Sequence, residues 1–346
     1  MANPTRTQVL GDPVVTSRDT YLNDVYTDVV FEPSPLLGGC FGLSRNPGTP
    51  MGAAKFPWAG KGETVKRDGR EAWYPIAYGS DSNATSFGRA STLSLNLDDV
   101  GTVQRCEYAN YTGAVAINWV ERRENTGDQA VLDLYKERSN QSFRTTSSNL
   151  EGDLWSANAD TAEGTQQEVV GLQTLISTGT TNTVWKLSRT TYSFMRNNTT
   201  NAAAAFATNG LASMRTMYTS CSGNGGFDRP TCIGTTAVLF NAYQAEAEDI
   251  HRITTTGTAD MGMETILYKG IPMFWSDNCL TGAMYFFNLN YRIVMLPMGA
   301  AFETVQYGKE NFPNQPVAEA MRYYIRLNWG FSRYDRQGVV YNFSDT

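Results

Sequence analysis

The clearest helix in the sequence covers residues 126–157, TGDQAVLDLYKERSNQSFRTTSSNLEGDLWSA. Its first four residues have the form of a capping box, in which the Thr126 hydroxyl and the Gln129 amide satisfy free backbone donors. Apolar residues fall near helical spacing at the two ends, and the middle is strongly polar. A helix of roughly 30 residues spans about 45 Å, which is longer than most helices of globular proteins. We therefore predict a strut that lies along a surface rather than inside a core.

A long excursion between two strands precedes this helix. Residues 72–78, AWYPIAY, are typical of one strand, and residues 112–120, TGAVAINWV, are typical of another. The stretch between them is polar and includes an alternating piece at residues 93–97. A connection of this length is uncommon inside a compact domain unless it has a function. We predict that this excursion is a protruding two-stranded loop.

The N-terminal segment, residues 1–60, carries many turn-forming residues and few periodic patterns. It contains Pro33-Ser34-Pro35 and Asn46-Pro47-Gly48, so it is poorly suited to packing a core of its own. The apolar residues at positions 21–31 are nevertheless too numerous for a disordered tail. We expect an extended arm that becomes ordered only against another surface.

The rest of the chain interleaves helices with strands. Helices are predicted at residues 201–219 and 239–250. Strands are predicted at residues 232–238, 265–268, 271–275, 284–287, 292–296 and 321–331. Long helices interleaved with antiparallel strands indicate an α+β fold, and 346 residues suffice for one large domain or two modest ones.

The composition leans towards a protein that assembles with other chains. The net charge is −6, and the basic residues do not form runs, which argues against tight nucleic-acid binding. Arginine outnumbers lysine, 21 to 7, and Tyr, Phe and Trp make up 12% of the residues. Arginine and aromatic residues are enriched at protein interfaces, whereas lysine is depleted there.

Cysteine usage and hydropathy indicate in which cellular compartment the protein resides. The five cysteines form no C-x-x-C pair, so we expect buried free thiols rather than a zinc or dithiol site. They are Cys40, Cys106, Cys221, Cys232 and Cys279. No run approaches the roughly 18 apolar residues of a membrane helix, and no secretory signal is visible. We expect a soluble protein that stays in the cell that makes it and has no membrane partner.

Motifs that would indicate catalysis are missing. The single histidine, His251, excludes centres that need several histidines, and no G-x-S-x-G elbow occurs. We expect His251 to complement a helix dipole. Gly60-Lys61-Gly62 and Gly223-Asn224-Gly225-Gly226 fail the spacing of phosphate-binding loops and are predicted turns. We predict no catalytic residue, no metal site and no cofactor.

Several short motifs follow the strut helix in a fixed order along the chain. They are Gly152-Asp153-Leu154-Trp155, Gly171-Leu172-Gln173-Thr174-Leu175-Ile176, Ser188-Arg189-Thr190-Thr191-Tyr192, Met263-Glu264-Thr265, Tyr268-Lys269-Gly270-Ile271-Pro272, Asp277-Asn278-Cys279, Gly282-Ala283-Met284-Tyr285-Phe286-Phe287-Asn288 and Arg336-Gln337-Gly338-Val339-Val340. Each motif is moderately specific by itself, and the evidence for a family resemblance lies mainly in their order. In this order the chain resembles the major capsid proteins of tailed bacteriophages with the HK97-like fold, over nearly its whole length.

The resemblance implies a division of the chain. It implies an N-terminal arm at 1–60, an extended E-loop at 73–118, a peripheral domain at 61–72 and 119–199 with its spine helix at about 126–157, an axial domain at 200–310, and a return to the peripheral domain at 311–346. Some relatives carry a cleaved N-terminal scaffold segment, and here we expect a separate scaffold protein, if any. Lys61 and Lys66 lie near the loop, but nothing in the sequence supports an isopeptide cross-link, and we predict none.

The resemblance also implies a function in assembly. Copies of the chain would form the hexamers and pentamers of an icosahedral shell, built in the host bacterial cytoplasm and enclosing double-stranded DNA without sequence-specific binding. Scaffold, portal and decoration proteins are the other expected partners. As intersubunit contacts we predict Trp73, Tyr74, Phe87, Arg89 and Arg105. The alternatives are a phage tail or portal-associated protein, and an enzyme of unknown type such as a hydrolase that uses carboxylates.

Overall fold

The structure is a computed structural model of the 346-residue chain. The residues that it describes are 36, 62–79, 82–89, 92, 96, 98–118, 120, 128–159, 166–179, 181–223, 226, 228–249, 266–298, 302–307 and 317–345. The predicted arm therefore lies outside the described residues apart from Leu36, and so do Cys40 and His251.

Four helices and two 3-10 turns accompany the strands in the described part of the chain. The helices are α1 (Asp128–Trp155), α2 (Leu172–Leu175), α3 (Phe206–Cys221) and α4 (Ala237–Asp249), and the 3-10 turns are Ser193–Met195 and Leu289–Tyr291. The strands are β1 (Glu63–Arg67), β2 (Glu71–Ala77), β3 (Gly101–Glu107), β4 (Ala109–Asn118), β5 (Thr183–Val184), β6 (Leu187–Ser188), β7 (Asn198–Asn201), β8 (Cys232–Thr235), β9 (Ile266–Tyr268), β10 (Ile271–Trp275), β11 (Met284–Phe287), β12 (Arg292–Pro297), β13 (Phe302–Tyr307), β14 (Val317–Phe331) and β15 (Gly338–Tyr341). The mixture confirms the predicted α+β class.

A five-stranded sheet is built around the long strand β14. Along its length β14 pairs antiparallel with β4, β13 and β12, and β1 pairs parallel with β12. The inward-facing side chains of β14 are large and fully buried, and they alternate along the strand as a half-buried sheet requires. They are Met321, Tyr323, Ile325, Leu327, Trp329 and Phe331.

A six-stranded sheet has the order β7-β15-β11-β8-β10-β9. Both of its faces are covered, which explains the unbroken apolar run of β11. Met273, Met284 and Phe286 belong to the same core as residues of α3 and α4. Tyr285 and Phe287 belong instead to the core that contains the five-stranded sheet.

Trp155, the last residue of α1, connects the two sheets. Its indole is fully buried, and its ring meets Phe274, Tyr285 and Phe287 edge-on at centroid distances of 6.3, 6.0 and 6.4 Å. The indole Nε1 donates to Glu151 Oε1 at 2.7 Å, which satisfies the one polar atom of the side chain. The end of the strut helix is thus held by the six-stranded sheet.

Helix α1 confirms the predicted strut, but its polar middle does not simply face solvent. Ser139, Thr146 and Ser147 are buried. The Tyr323 hydroxyl lies 2.6 Å from Thr146 Oγ1 and donates to the Ser142 carbonyl oxygen at 3.0 Å. The helix therefore rests on β14 through hydroxyl contacts. Because Tyr323 supplies a partner for Thr146, this hydroxyl can be buried without a large desolvation cost.

The tyrosine reaches the helix across a glycine. Gly113 of β4 lies directly opposite Tyr323 of β14 in the antiparallel register. A Cβ atom at residue 113 would lie 2.0 Å from the Tyr323 hydroxyl oxygen. Further along β4, the Tyr111 hydroxyl donates to Asp153 Oδ2 at 2.7 Å, which anchors the last turns of α1 to the same sheet.

The predicted pairing of the long excursion is wrong in one respect. Its first strand, β2, pairs with β3 at residues 101–107 and not with the strand predicted at 112–120. Most of that second strand is β4, which belongs to the five-stranded sheet. The reason is burial, since Val115 and Ile117 face the core on the same side as β14 residues. The hairpin formed by β2, β3 and the residues between them, 71–107, is called the long hairpin below.

The two sheets do not separate at residue 310, where the resemblance places the end of the axial domain. Strands β12 and β13 precede that position, and they pair with β14 in the five-stranded sheet. Strand β15 follows that position, yet it lies between β7 and β11 in the six-stranded sheet. The chain therefore returns to the five-stranded sheet before residue 310 and then adds β15 to the six-stranded sheet.

The C-terminal residues complete the core around α3. The ring of Phe343 packs on Phe206 at a centroid distance of 5.6 Å. The N-cap residue of α3, Ala205, has no side-chain oxygen to offer, and the Asp345 carboxylate accepts from the Phe206 amide instead. An acidic group at this position also complements the positive end of the helix dipole.

The structure also bears on the predicted thiols and on one residue of the predicted arm. Cys106, Cys221, Cys232 and Cys279 are buried free thiols, as predicted, and burial raises the pKa of Cys221 to about 12. Leu36, in contrast, is buried in the core of its own chain. At that position the arm is ordered by its own subunit, because an apolar side chain gains most from the nearest apolar surface. No helix in the described ranges is long and apolar enough to cross a membrane.

We predict that Trp155→Ala destabilises the subunit by about 3–5 kcal/mol, because it empties the junction between the sheets. Chemical denaturation followed by circular dichroism would measure the loss. Trp275→Ala is the matched control, since that indole is 39% exposed and its removal leaves no comparable cavity. Equal losses for the two variants would contradict the proposed importance of the junction.

We also predict that stability falls as the pH rises from about 10 to about 12. Burial raises the pKa of Tyr108 to about 12 and raises the pKa values of Tyr111 and Tyr285 well above the usual range. Above pH 10 the unfolded chain releases these protons while the folded chain keeps them, so unfolding becomes more favourable. Ultraviolet titration of phenolate should show tyrosines that ionise only on unfolding. Ionisation of every tyrosine near pH 10 in the folded protein would contradict this.

Candidate intersubunit surface

The long hairpin has two unlike faces, because its side chains alternate along each strand. Ala72, Ile76, Gln104 and Cys106 are buried against the rest of the chain. The alternate positions carry an outer face that is exposed to solvent. Its residues are Trp73, Pro75, Ala77, Val103 and Arg105.

Two predicted contact residues meet on the outer face. Trp73 and Arg105 are register partners across β2 and β3. The Arg105 guanidinium lies 4.6 Å from the centroid of the Trp73 ring, a cation–π contact, and the indole remains 52% exposed. Beside them is a shallow hollow of about 740 Å³ whose lining includes Trp73, Pro75 and Val103, with charged residues at its rim. The structure thus brings together two side chains that were predicted separately.

Tyr74, a third predicted contact residue, is engaged within its own chain. It is half-buried and packs against the core. Its hydroxyl donates to Glu63 Oε2 of β1 at 3.0 Å. Burial and this bond to a carboxylate raise the pKa of Tyr74. Tyr74 fixes β2 to β1 and is not presented on the outer face.

Beyond β2 and β3, side chains rather than backbone ladders hold the hairpin together. The Asn83 side chain accepts from the Asn96 amide at 2.6 Å and donates to the Asn96 carbonyl at 2.8 Å, as a strand partner would. The Ser82 amide donates to Asp98 Oδ2 at 2.6 Å. A hydrogen bond from the Ser82 side chain, with this amide bond, lowers the pKa of the exposed Asp98 carboxyl. These bonds connect the two sides of the excursion where β2 and β3 end.

The last two predicted contact residues lie between Asn83 and Asn96, in the segment called the distal loop below. Phe87 is 72% exposed, the most exposed large apolar side chain among the described residues, and Arg89 is also exposed. A phenyl ring held so far out of any core loses contact with water only by binding another surface. Phe87 and Arg89 thus lie on the distal loop, separately from the Trp73 and Arg105 pair.

The inner face of the hairpin is docked on the same subunit, a feature that sequence reasoning missed. Gln104 Nε2 donates to Met195 Sδ at 3.1 Å, and the Arg105 amide donates to the Trp185 carbonyl at 3.3 Å. At the far end of β2, the ring of Tyr78 stacks on Phe194 at 4.5 Å. The hairpin is therefore docked on its own subunit through its inner face, while its outer face and Phe87 are exposed.

The chemistry of this surface is that of recognition. Its groups are an indole, a phenyl ring and guanidinium groups, which are the side chains favoured at the centre of protein interfaces. In the part of the chain that the structure describes, no three His, Cys, Asp or Glu side chains are grouped so that they could hold a metal ion. The Asp228 carboxylate accepts from Asn288 and Tyr291 and forms an ion pair with Arg336, so it joins three segments of the fold.

Comparisons with known proteins identify the fold. No protein-family model and no curated protein sequence matches the chain. Among solved structures, it is similar to the capsid of cyanophage A-1(L), with a TM-score of 0.57 and 16% identity over 81% of this chain and 89% of that one. It is also similar to the capsid of a native GTA particle, with a TM-score of 0.54 and 10% identity over 82% and 89% of the two chains.

A third similar structure is the SrpI encapsulin of Synechococcus elongatus PCC 7942, with a TM-score of 0.51 and 11% identity over 82% of this chain and 86% of that one. Each likeness covers most of both chains, although the sequences have diverged widely. The long helix α1 is the strut that the sequence predicted. The chain has the HK97-like capsid fold.

Proposed function

We propose that this chain is the major capsid protein of a tailed bacteriophage and self-assembles into the icosahedral head shell. The observation that carries the proposal is the outer side of the long hairpin, where Trp73 and Phe87 are exposed at 52% and 72% on a chain with a capsid fold. A monomeric protein gains nothing from holding these rings in water. A second copy that covers them would gain their burial, at about 25 cal/mol per Å² of apolar surface.

The residues proposed to contact neighbouring subunits fall into two groups. Trp73 and Arg105 form a preassembled pair on the hairpin strands, so little side-chain entropy is lost when they bind. Phe87 and Arg89 form the distal group, and both side chains are exposed. Tyr74 contributes indirectly, because its bond to Glu63 sets the position of β2.

The two sheets support an assignment of the chain to two domains. We assign the five-stranded sheet and α1 to a peripheral domain, and the six-stranded sheet with α3 and α4 to an axial domain that meets its copies at five-fold and six-fold axes. The buried Trp155 junction supports this assignment, since it makes the two parts one unit while leaving their far ends free for contacts. The arm at residues 1–60 would add further intersubunit contacts.

The proposal includes the surroundings of the shell. The subunits would assemble in the host cytoplasm as pentamers and hexamers, enclose double-stranded DNA without reading its sequence, and meet scaffold, portal and decoration proteins. The net charge of −6 supports enclosure rather than tight binding of DNA. We propose no catalytic activity for the chain.

A second candidate is a shell of the encapsulin kind, because one of the similar structures is an encapsulin. The contents of purified particles separate the two candidates. Nuclease-protected DNA inside closed particles supports a phage head, and closed particles without nucleic acid support the encapsulin alternative. A tail or portal protein is not favoured, since the similar structures are shells. Rings or tubes in electron micrographs, instead of closed particles, would support a tail or portal protein.

Deleting residues 83–100 should leave a folded subunit that cannot form closed shells. Ala77 and Gly101 remain paired in this variant, and residues 78–82 are long enough to connect them. Circular dichroism would test folding, and electron microscopy of the concentrated protein would test assembly. Normal closed particles from the deletion variant would refute the proposed role of the distal loop.

Replacing a single exposed ring provides a finer test. Phe87→Ala should raise the protein concentration needed for assembly by about tenfold or more, the effect of losing one interface hot spot. Met298→Ala is the control, because Met298 is also well exposed, at 58%, but lies outside the hairpin. Light scattering would measure both variants. A similar shift for both, or none for Phe87→Ala, would show that Phe87 is not a contact residue.

A further inference from the structure

The hollow beside Trp73 is an apolar site with a charged rim, and it is open to solvent. Its apolar lining is Trp73, Pro75 and Val103, and its volume is about 740 Å³. The side chains of Trp73 and Val103 are 52% and 40% exposed. An apolar side chain that displaces water from such a surface gains the free energy of burial. This site, with its rim, is called the Trp73 hollow below.

The rim of the Trp73 hollow favours a partner that brings a cation. Among the rim residues, Arg70 forms an ion pair with the buried Glu107 at 3.4 Å. The other charged residues of the rim are Asp68, Glu71 and Arg67. These three carry a net charge of −1, since two carboxylates stand against one guanidinium group. A positive group of the partner would balance this charge, whereas a negative group would meet the two carboxylates at short range.

Phe87 and Arg89 of the distal loop have the complementary chemistry. Phe87 is 72% exposed, more than any other large apolar side chain among the described residues. Arg89 follows two positions later and is also exposed. A phenyl ring can fill the apolar part of the hollow while the guanidinium group beside it bonds the carboxylates at the rim.

The distal loop cannot reach the hollow of its own chain. Ten residues lead from Trp73 to Asn83, and in an extended strand they cover about 33 Å. The pairing of β2 with β3 and the bonds between Asn83 and Asn96 keep the hairpin closed over this length. The four residues from Asn83 to Phe87 span at most about 14 Å. A Phe87 ring that enters the hollow therefore has to come from a second copy of the chain.

We propose that the Phe87 ring of one subunit docks in the Trp73 hollow of the next subunit, with Arg89 beside the carboxylates of the rim. The two surfaces are unlike, so the contact is head-to-tail, and a row of copies keeps one unused loop and one unused hollow at its ends. Where the rotation between copies closes a ring, every loop and every hollow is used. The inference rests on the proposed function and names the surface to which the distal loop binds.

A double-mutant cycle tests whether the two sites meet. Phe87→Ala and Trp73→Ala should each raise the protein concentration needed for assembly by about tenfold. The double variant should need about the same concentration as either single variant, because both changes remove the same contact. A rise of about one hundredfold in the double variant would show that the two residues act independently, and would overturn the docking. Light scattering would measure assembly, and circular dichroism would show that the variants are folded.

Cross-linking identifies the copy that supplies the ring. Ser86→Cys lies next to Phe87 and Val103→Cys lies in the hollow, so both aromatic rings are kept. A short bis-maleimide then connects thiols that come close together. The variant with both changes should form covalent ladders that end at closed rings, and a mixture of the two single variants should form dimers only.

Ser86→Cys with Ala212→Cys is the matched control, because Ala212 is also exposed but lies on α3. Its ladder should not exceed that of the original chain treated with the same reagent. Closed particles without ladders, or a cross-link within a single chain, would overturn the docking and leave the proposed function intact. If the original chain forms no closed particles, the proposed function fails, and the ladder still decides whether the loop of one copy occupies the hollow of another.

Discussion

The burial of one indole at the end of a long helix organises this chain. Trp155 places its ring among three aromatic side chains of the six-stranded sheet while its helix lies on the five-stranded sheet. Gly234 of β8 makes room for it, since a Cβ atom there would lie 2.8 Å from the ring. This contact strengthens the core that residues of both sheets share, and it helps to fix the relative orientation of the sheets. In a shell, where each subunit must present surfaces at set angles, that orientation decides whether the particle closes.

Helix α1 contacts the five-stranded sheet through polar bonds, besides burying Leu150 and Leu154 in the same core. Hydroxyl groups of the helix meet the Tyr323 hydroxyl, and Asp153 meets Tyr111. Hydrogen bonds depend on direction, whereas apolar contacts tolerate sliding. A helix held in this way has one preferred position along its length, a useful property for a strut that must not shift when force is applied to its ends.

Much of the fold could be predicted from local sequence patterns, and the exceptions have a common cause. Helix α1 and strands such as β10 and β11 were predicted because their periodicity or apolar character is contained in the segment itself. The partner of β2 could not be predicted, because the polar sequence of β3 becomes a strand only when its inner face docks on residues 183–195. The pairing of Tyr323 with Gly113 joins residues far apart in the chain and leaves no local signal.

The candidate site shows the same division. Trp73, Phe87 and Arg105 were predicted because large apolar and cationic side chains stand out in a polar excursion, and the structure places all three on the exposed side. Tyr74 is next to Trp73 in sequence, but strand alternation turns it towards β1. The stack of Tyr78 on Phe194 was missed because aromatic residues within single segments do not indicate which of them meet in space.

The position of the C-terminal strand has a consequence for synthesis. Strand β15 lies between β7 and β11, and the last residues pack on α3 and cap it. The six-stranded sheet therefore cannot close until residues 338–341 have been synthesised and have left the ribosome. Until then β7 and β11 of the nascent chain lack the strand that joins them, so an association before that point would involve an incomplete subunit.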